Sequence, residues 1–362
     1  MRAALRQVAR RGANDARALR ETSAPPPGSP LADFGAGGAT EAAARRALHG
    51  LRVPPPLVAA AAQLLGEERA RRLRAPIGRY AYWHGARAAL DRQTWRRLSQ
   101  GTAILMYHAI GAPGEGGTRL VVPARQLRRQ LLLLRWSRRP VIGLADLVRS
   151  RQAGKLPPAG AVVITFDDGF ADTGELAAPL LRRFGTPATL FVVTDRVGGA
   201  ADWDGAGELA SRPLADWSTL AEMARDGIEI GAHTRTHPRL PELEPGRGAD
   251  EIAGAREVLS SRLGTEVRAF CYPYGRKTRD VVRIVEDSGF ACACGVERGL
   301  NYSATPLHEL RRVPVDGDAS TLRFLLGVRF GDPDLLARLF GRLRGRRAHA
   351  RARGVRPEVD GR

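Results

Sequence analysis

The stretch Ala161-Val-Val-Ile-Thr-Phe-Asp-Asp-Gly169 joins an apolar run to two adjacent aspartates and a glycine. The apolar run predicts a buried β-strand over residues 162–166, and the glycine permits a tight turn directly after it. Because successive side chains of an extended chain point to opposite sides, the two aspartates can take different roles. An aspartate before a glycine can also simply cap the following helix. Alone, the stretch leaves a catalytic pair and a structural turn both open.

A second polar group, His233-Thr-Arg-Thr-His237, follows another predicted strand at 228–231. The i, i+4 spacing places both imidazoles on one side of a helical turn, an arrangement that can bracket one metal ion. Together with one carboxylate of the aspartate pair, the histidines supply ligands for a divalent cation. The other carboxylate is then free to act as a base, a combination that predicts a hydrolase.

Residues 101–320 alternate short apolar runs with amphipathic segments. Strands are predicted at 103–107, 162–166, 188–193, 228–231, 269–272 and 291–294, and helices at 124–136, 173–184, 218–226, 249–263 and 277–288. This alternation requires crossover connections and therefore predicts a parallel sheet. Six or more strands in a segment of this length favour a closed barrel, in which the working groups lie at the carboxyl ends of the strands.

The formal net charge of +19 is concentrated at the two ends of the chain. Residues 1–100 hold 18 arginines against 7 acidic residues, and residues 321–362 hold 11 against 4, whereas residues 101–320 are nearly neutral. No nucleic-acid recognition motif accompanies this charge, so we expect no nucleic-acid partner. The basic ends instead favour peripheral contact with an anionic membrane surface.

The flanks divide into three predicted segments. Residues 1–55, rich in Arg, Ala, Gly and Pro, are predicted to be mostly disordered, and residues 56–100 to be a helical extension. Residues 321–362 are predicted to hold a basic amphipathic helix, over 335–344, and a tail. No apolar run has secretory length or could cross a bilayer, so we expect a location in the cytoplasm or at the inner membrane face.

Three motifs together resemble those of the polysaccharide deacetylases, the NodB-homology domains of carbohydrate esterase family four. They are Thr165-Phe-Asp-Asp-Gly169, His233-Thr-Arg-Thr-His237 and Phe270-Cys-Tyr-Pro-Tyr-Gly275, which occur in the order of the family's motifs. The resemblance covers about 101–318, within the domain predicted at 101–320. It implies a distorted (β/α)7 barrel, with helical or disordered extensions at both ends, and hydrolysis of an N-acetyl group from an N-acetylated sugar or glycan.

The resemblance also implies roles for individual residues. The implied ligands of one divalent metal ion are Asp168, His233 and His237. Zinc is the expected metal, although cobalt, nickel or iron would suit the same ligands. Asp167 would be the general base, and the backbone N–H of Tyr274 would stabilise the oxyanion. Two alternatives stay open: a related metal hydrolase of another non-peptide C–N bond, and a carbohydrate-binding barrel without catalysis.

A general acid is required because the leaving amine departs poorly unless it is protonated, and a histidine suits this role. We favour His108, because it follows the first predicted strand and so lies at the same end of the barrel as the aspartates. His308, near a late motif, is the alternative.

The third motif departs from the pattern of many family members. They carry an arginine two residues before the motif's proline, where this chain has Cys271. Arg312, in a late strand, is the candidate to replace that arginine beside the catalytic aspartate. We also place Arg312, Pro273 and Trp203 on the substrate side of the site, with Trp203 expected to stack on a sugar face.

Overall fold

The structure, a computed structural model, describes residues 2–22, 24–26, 28–112, 114–203 and 207–338. Its strands are β1 (Ala103–Tyr107), β2 (Ala109–Gly111), β3 (Val121–Pro123), β4 (Val162–Phe166), β5 (Thr189–Val192), β6 (Glu229–Ala232), β7 (Ala269–Cys271), β8 (Cys292–Arg298) and β9 (Leu310–Pro314). Seven of them form a closed barrel in the order β1-β4-β5-β6-β7-β8-β9, while β2 and β3 form a separate pair. All barrel pairings are parallel, and β9 returns to β1. The predicted parallel barrel of seven strands is confirmed.

Helices precede, surround and follow the barrel. They are α1 (Arg2–Thr22), α2 (Gly38–Gly50), α3 (Pro55–Gln63), α4 (Glu67–Ala89), α5 (Arg92–Gln100), α6 (Ala124–Trp136), α7 (Leu144–Gln152), α8 (Ala178–Phe184), α9 (Trp217–Arg225), α10 (Pro245–Leu263), α11 (Arg279–Asp287) and α12 (Thr321–Phe330). Helices α6 to α11 lie in the connections between barrel strands. Helix α6 illustrates how such a helix packs on the core, because Leu127, Leu131 and Leu134 recur at helical spacing and are buried.

The alternation of side chains along β4 sets the orientation of the first aspartate. Val162, Ile164 and Phe166 pack into the large core that the surrounding helices share. Val163 instead belongs to a second core cluster, which includes side chains of β1, β5, β7 and β8. Because the period of a strand is two residues, Asp167 continues the side of Val163 and so faces the barrel interior.

The N-terminal segment differs from the prediction. Residues 1–55 are not mostly disordered, because they form α1 and α2. Helix α1 lies against α4, and the contact depends on small residues: a Cβ added at Gly12 or at Gly85 would collide with a backbone carbonyl of the other helix. The Ala- and Gly-rich composition that suggested disorder is what lets the two helix backbones approach closely.

The remaining flanking segments are described in part. Helices α3, α4 and α5 occupy the segment 56–100, and α12 lies directly after the barrel. The predicted helix over 335–344 lies mostly outside the described residues. Within the part of the chain that is described, no helix combines the length and apolarity needed to span a bilayer. The proposed contact with a membrane surface therefore stays a prediction.

Candidate active site

The predicted catalytic residues meet in one cleft at the carboxyl ends of the barrel strands. The cleft has a volume of about 610 Å³, and its lining includes His108, Asp167, Asp168, His233 and His237. His108 follows β1, the aspartates follow β4 and the two histidines of the second motif follow β6. Gly169 has a φ of 85°, so it supplies the turn that takes the chain away from the barrel after the aspartates.

Asp168, His233 and His237 form a compact set of potential metal ligands. One ligand atom from each lies within 4.8 Å of the others, and all three residues are buried. Asp168 Oδ1 is 3.4 Å from Nε2 of His233 and 3.5 Å from Nε2 of His237. Two imidazole nitrogens and one carboxylate oxygen that converge in this way can hold a divalent cation such as zinc.

The orientation of both histidines suits a metal ion. His233 Nδ1 lies 2.8 Å from the backbone carbonyl of Cys271, which can only accept, so Nδ1 carries a hydrogen and Nε2 is the nitrogen that faces Asp168. Burial, reinforced by the neighbouring His233, lowers the pKa of His237 to about 3, so that this ring is neutral. Its Nδ1 is buried without a hydrogen-bond partner among the described residues. The three side chains therefore fit a divalent cation.

The loop that carries the two histidines is held by Glu251 of α10, which is buried. Glu251 Oε2 accepts hydrogen bonds from the backbone N–H groups of Arg235 and Thr236, each at 2.9 Å. Its Oε1 accepts from the Thr236 hydroxyl at 2.7 Å. Sequence reasoning missed this residue, because nothing in the local pattern distinguishes it from the other acidic residues of α10.

We expect Glu251→Ala to weaken metal binding roughly 10- to 100-fold, because the loop loses three hydrogen bonds that fix the histidines. Competition against a chromophoric chelator would measure the affinity. Glu251→Gln keeps one acceptor oxygen and should retain most of it. Glu257→Ala, on an exposed part of the same helix, is the matched control. Wild-type metal affinity in Glu251→Ala would show that the loop holds its shape without this carboxylate.

Asp167 is paired with Arg312, whose side chain is wholly buried. Arg312 Nη1 and Nη2 lie 2.6 and 2.8 Å from the two carboxylate oxygens of Asp167, a bidentate ion pair. Burial alone would raise the pKa of Asp167, but the charge and hydrogen bonds of Arg312 outweigh burial and lower that pKa to about 2. Arg312 Nη2 also lies 3.0 Å from Cys271 Sγ. Arg312 of β9 thus lies beside Asp167, in the role expected of the arginine that many family members carry at the position of Cys271.

The two candidate general acids occupy different surroundings. His108 lines the cleft, with its Nε2 3.9 Å from Asp167 Oδ2. His308 is held away from it: Nε2 lies 2.8 Å from the carbonyl of Phe290, and Nδ1 lies 3.2 Å from Glu286 Oε1. Both ring nitrogens of His308 thus contact α11 or the short connection between α11 and β8, and His308 is not among the residues that line the cleft.

Only one of the three residues placed on the substrate side lines the cleft. The Trp203 ring lies 4.6 Å from the His237 ring and faces the cleft. Pro273 and Arg312 are buried and do not line it. Pro273 instead begins the short 3-10 turn Pro273–Gly275, and Arg312 lies behind Asp167. Substrate contact is therefore the wrong role for these two residues; one shapes the turn and the other pairs with the aspartate.

Unusual backbone conformations concentrate at the site. Among described residues other than glycine, seven have a positive φ in the left-handed region, and four of these belong to the site. They are Asp168 (73°), Thr234 (67°), His237 (64°) and Tyr274 (57°). Such conformations cost about 1–3 kcal/mol each and persist where surrounding contacts enforce them, which is common at functional sites.

Comparison with known proteins agrees with this geometry. Residues 154–293 match the polysaccharide deacetylase family. The Bacillus subtilis (strain 168) protein YxkH, assigned by name to the polysaccharide deacetylases, is 26% identical over 221 residues, which are 61% of this chain and 74% of YxkH. The poly-β-1,6-N-acetyl-D-glucosamine N-deacetylase of Escherichia coli (strain K12) is 23% identical over 65% of this chain but only 39% of that enzyme. The chain thus spans about two fifths of the length of that relative.

A solved structure shares the barrel. The Streptococcus pyogenes deacetylase PplD, in complex with acetate, superposes with a TM-score of 0.54 at 24% identity, over 63% of this chain and 98% of PplD. All three motifs lie within the residues matched to the family, because they span 165–275 and the match spans 154–293. Motifs and sequence match point the same way, and the fold is shared with a solved deacetylase: residues 154–293 of this chain match the polysaccharide deacetylase family.

Proposed function

We propose that the chain is a metal-dependent hydrolase that removes N-acetyl groups from an N-acetylhexosamine-containing glycan or glycan precursor. The observation that carries the proposal is the convergence, in one cleft, of a buried set of metal ligands with a second carboxylate and an accessible histidine. The E. coli and S. pyogenes relatives, which are named as deacetylases, support the same reaction class.

Asp167 and His108 divide the proton transfers between them. Asp167 accepts a proton from the attacking water, since Arg312 holds its carboxylate ionised and in a fixed orientation. His108 lies 3.9 Å away and donates a proton to the amine nitrogen as the C–N bond breaks. The products are acetate and the free amino sugar, so one water is consumed for each acetyl group removed.

The other residues hold the reacting amide. Asp168, His233 and His237 would hold the metal ion, which when bound supplies Lewis acidity toward the acetyl carbonyl and the water. Tyr274 lies at a strained position of the 3-10 turn, and its backbone N–H is the proposed donor to the developing oxyanion. Trp203 offers an aromatic face for the sugar ring.

Acetate release by the purified, metal-loaded protein tests the proposal. The substrates would be N-acetylglucosamine oligomers, a nucleotide-linked N-acetylhexosamine and a lipid-linked one, with chelator-treated protein as the blank. We expect release above the blank from at least one of them. If no substrate released acetate while the metal was bound, deacetylation would be contradicted, and another amide substrate or a binding role without turnover would be favoured.

A further inference from the structure

The cleft contains more positive charge than the proposed chemistry uses. Besides the catalytic groups, its lining includes four arginines, which are Arg119, Arg239, Arg276 and Arg298. A neutral N-acetylglucosamine oligomer has no anionic group for an arginine to bind. An arginine of the cleft is available to a charged substrate only if it does not already form an ion pair with an acidic residue of the protein.

The acidic residues of the cleft are already engaged. Asp167 pairs with Arg312, and Asp168 belongs to the metal-ligand set. The third acidic side chain that lines the cleft, Asp316, lies 3.0 Å from Arg323. None of the three is thus left to neutralise an arginine of the cleft wall.

Two of the four arginines are paired and two are not. Arg276 lies 3.2 Å from Glu242, and Arg298 lies 2.7 Å from Asp334. Arg119 and Arg239 form no ion pair with any acidic residue in the described ranges. Their guanidinium groups are the free cations of the cleft, as far as the structure describes it.

Arg239 is the closer of the two to the chemistry. It follows His237 by two residues, and its guanidinium carbon lies 5.4 Å from the centre of the Tyr274 ring. The same ring lies 4.6 Å from that of His237, so a single aromatic side chain separates Arg239 from the metal ligands. Stacking on Tyr274 holds the guanidinium in place without neutralising its charge.

We propose that the substrate carries an anionic group, a phosphate ester or a carboxylate, on or beside the N-acetylated sugar, and that Arg239 binds it with Arg119 contributing from the loop before β3. A planar guanidinium recognises both oxyanions through paired hydrogen bonds. In a half-enclosed cleft, such uncompensated charge also raises the local concentration of anions. The inference rests on the proposed function for the N-acetylated sugar and adds the anion.

Binding measured by calorimetry tests the inference independently of turnover. The titrants would be N-acetylglucosamine 1-phosphate, N-acetylmuramic acid and the neutral methyl glycoside of N-acetylglucosamine, added to the metal-loaded Asp167→Asn chain. We expect at least one anionic sugar to bind about tenfold or more tightly than the neutral glycoside. The preference should shrink as salt rises from about 50 mM to about 500 mM. Whichever anionic sugar binds tighter identifies phosphate or carboxylate as the group recognised.

Variants decide whether the arginines are responsible, since an anion can also bind a metal ion. In an Arg239→Gln background the preference should fall about tenfold, and in Arg119→Gln by less. Arg283→Gln, on the exposed face of α11 and outside the cleft, should keep the full preference. Equal binding of anionic and neutral sugars, or a preference that survives in the Arg119→Gln/Arg239→Gln double variant, would overturn the inference. Anion preference without any acetate release would instead contradict only the proposed reaction.

Discussion

Asp167→Asn should keep the metal ion and lose between about 100-fold and 10,000-fold of the rate of acetate release, the range that a general base contributes. The substitution leaves the three metal ligands unchanged, and the asparagine oxygen still accepts a hydrogen bond from Arg312. It replaces the other carboxylate oxygen, which also contacts Arg312, by an amide NH2 group that cannot accept a proton. Metal content by mass spectrometry and acetate release on the best substrate would be measured on the same preparation.

Asp168→Asn is the matched control, because it makes the same chemical change one residue along the chain. Asp168 turns away from Asp167 at a φ of 73° and lies within 3.5 Å of both ligand histidines. This variant should therefore lose metal affinity together with activity. If Asp167→Asn also loses the metal, or if Asp168→Asn keeps it, the division of labour within the pair is wrong.

The parts of this site that could be predicted from the sequence are those encoded within a few residues. The aspartate pair and the two histidines each follow an apolar run directly, and strand periodicity fixes the side to which Asp167 points. Most barrel strands were recognisable for the same reason. Strand β9 was expected only through the late-strand setting of Arg312, and α7 was not among the predicted helices.

Contacts between residues that are far apart in the sequence could not be predicted from such local patterns. Glu251 holds the histidine loop from 14 residues after His237, and which acidic residue of α10 faces that loop depends on how the helix docks. The packing of α1 on α4 is a similar case. Gly12 and Gly85, which allow it, are 73 positions apart, and the composition of either segment alone resembles that of a flexible linker. Pro273 and Arg312 were assigned to substrate contact because sequence proximity to a motif does not reveal burial.

Arg312→Met should lower the free energy of unfolding by about 3–5 kcal/mol and abolish acetate release. The guanidinium is wholly buried, and its removal leaves the Asp167 carboxylate buried without its partner, which costs far more than the loss of a surface ion pair. Denaturant unfolding would give the stability change. Arg311→Met is the matched control: it removes the neighbouring arginine of the same strand, which is exposed, and should change stability by less than about 0.5 kcal/mol.

The double variant Asp167→Asn/Arg312→Met separates a structural role of this pair from a catalytic one. Removing both charges eliminates the uncompensated carboxylate, so the double variant should regain most of the stability that Arg312→Met loses, while remaining inactive. Arg312→Lys restores a charge but not the two parallel hydrogen bonds, and should recover stability more fully than rate. If Arg312→Met kept wild-type activity, the orientation of Asp167 would not depend on this arginine. If the two substitutions were simply additive in stability, the ion pair seen between them would contribute nothing to the fold.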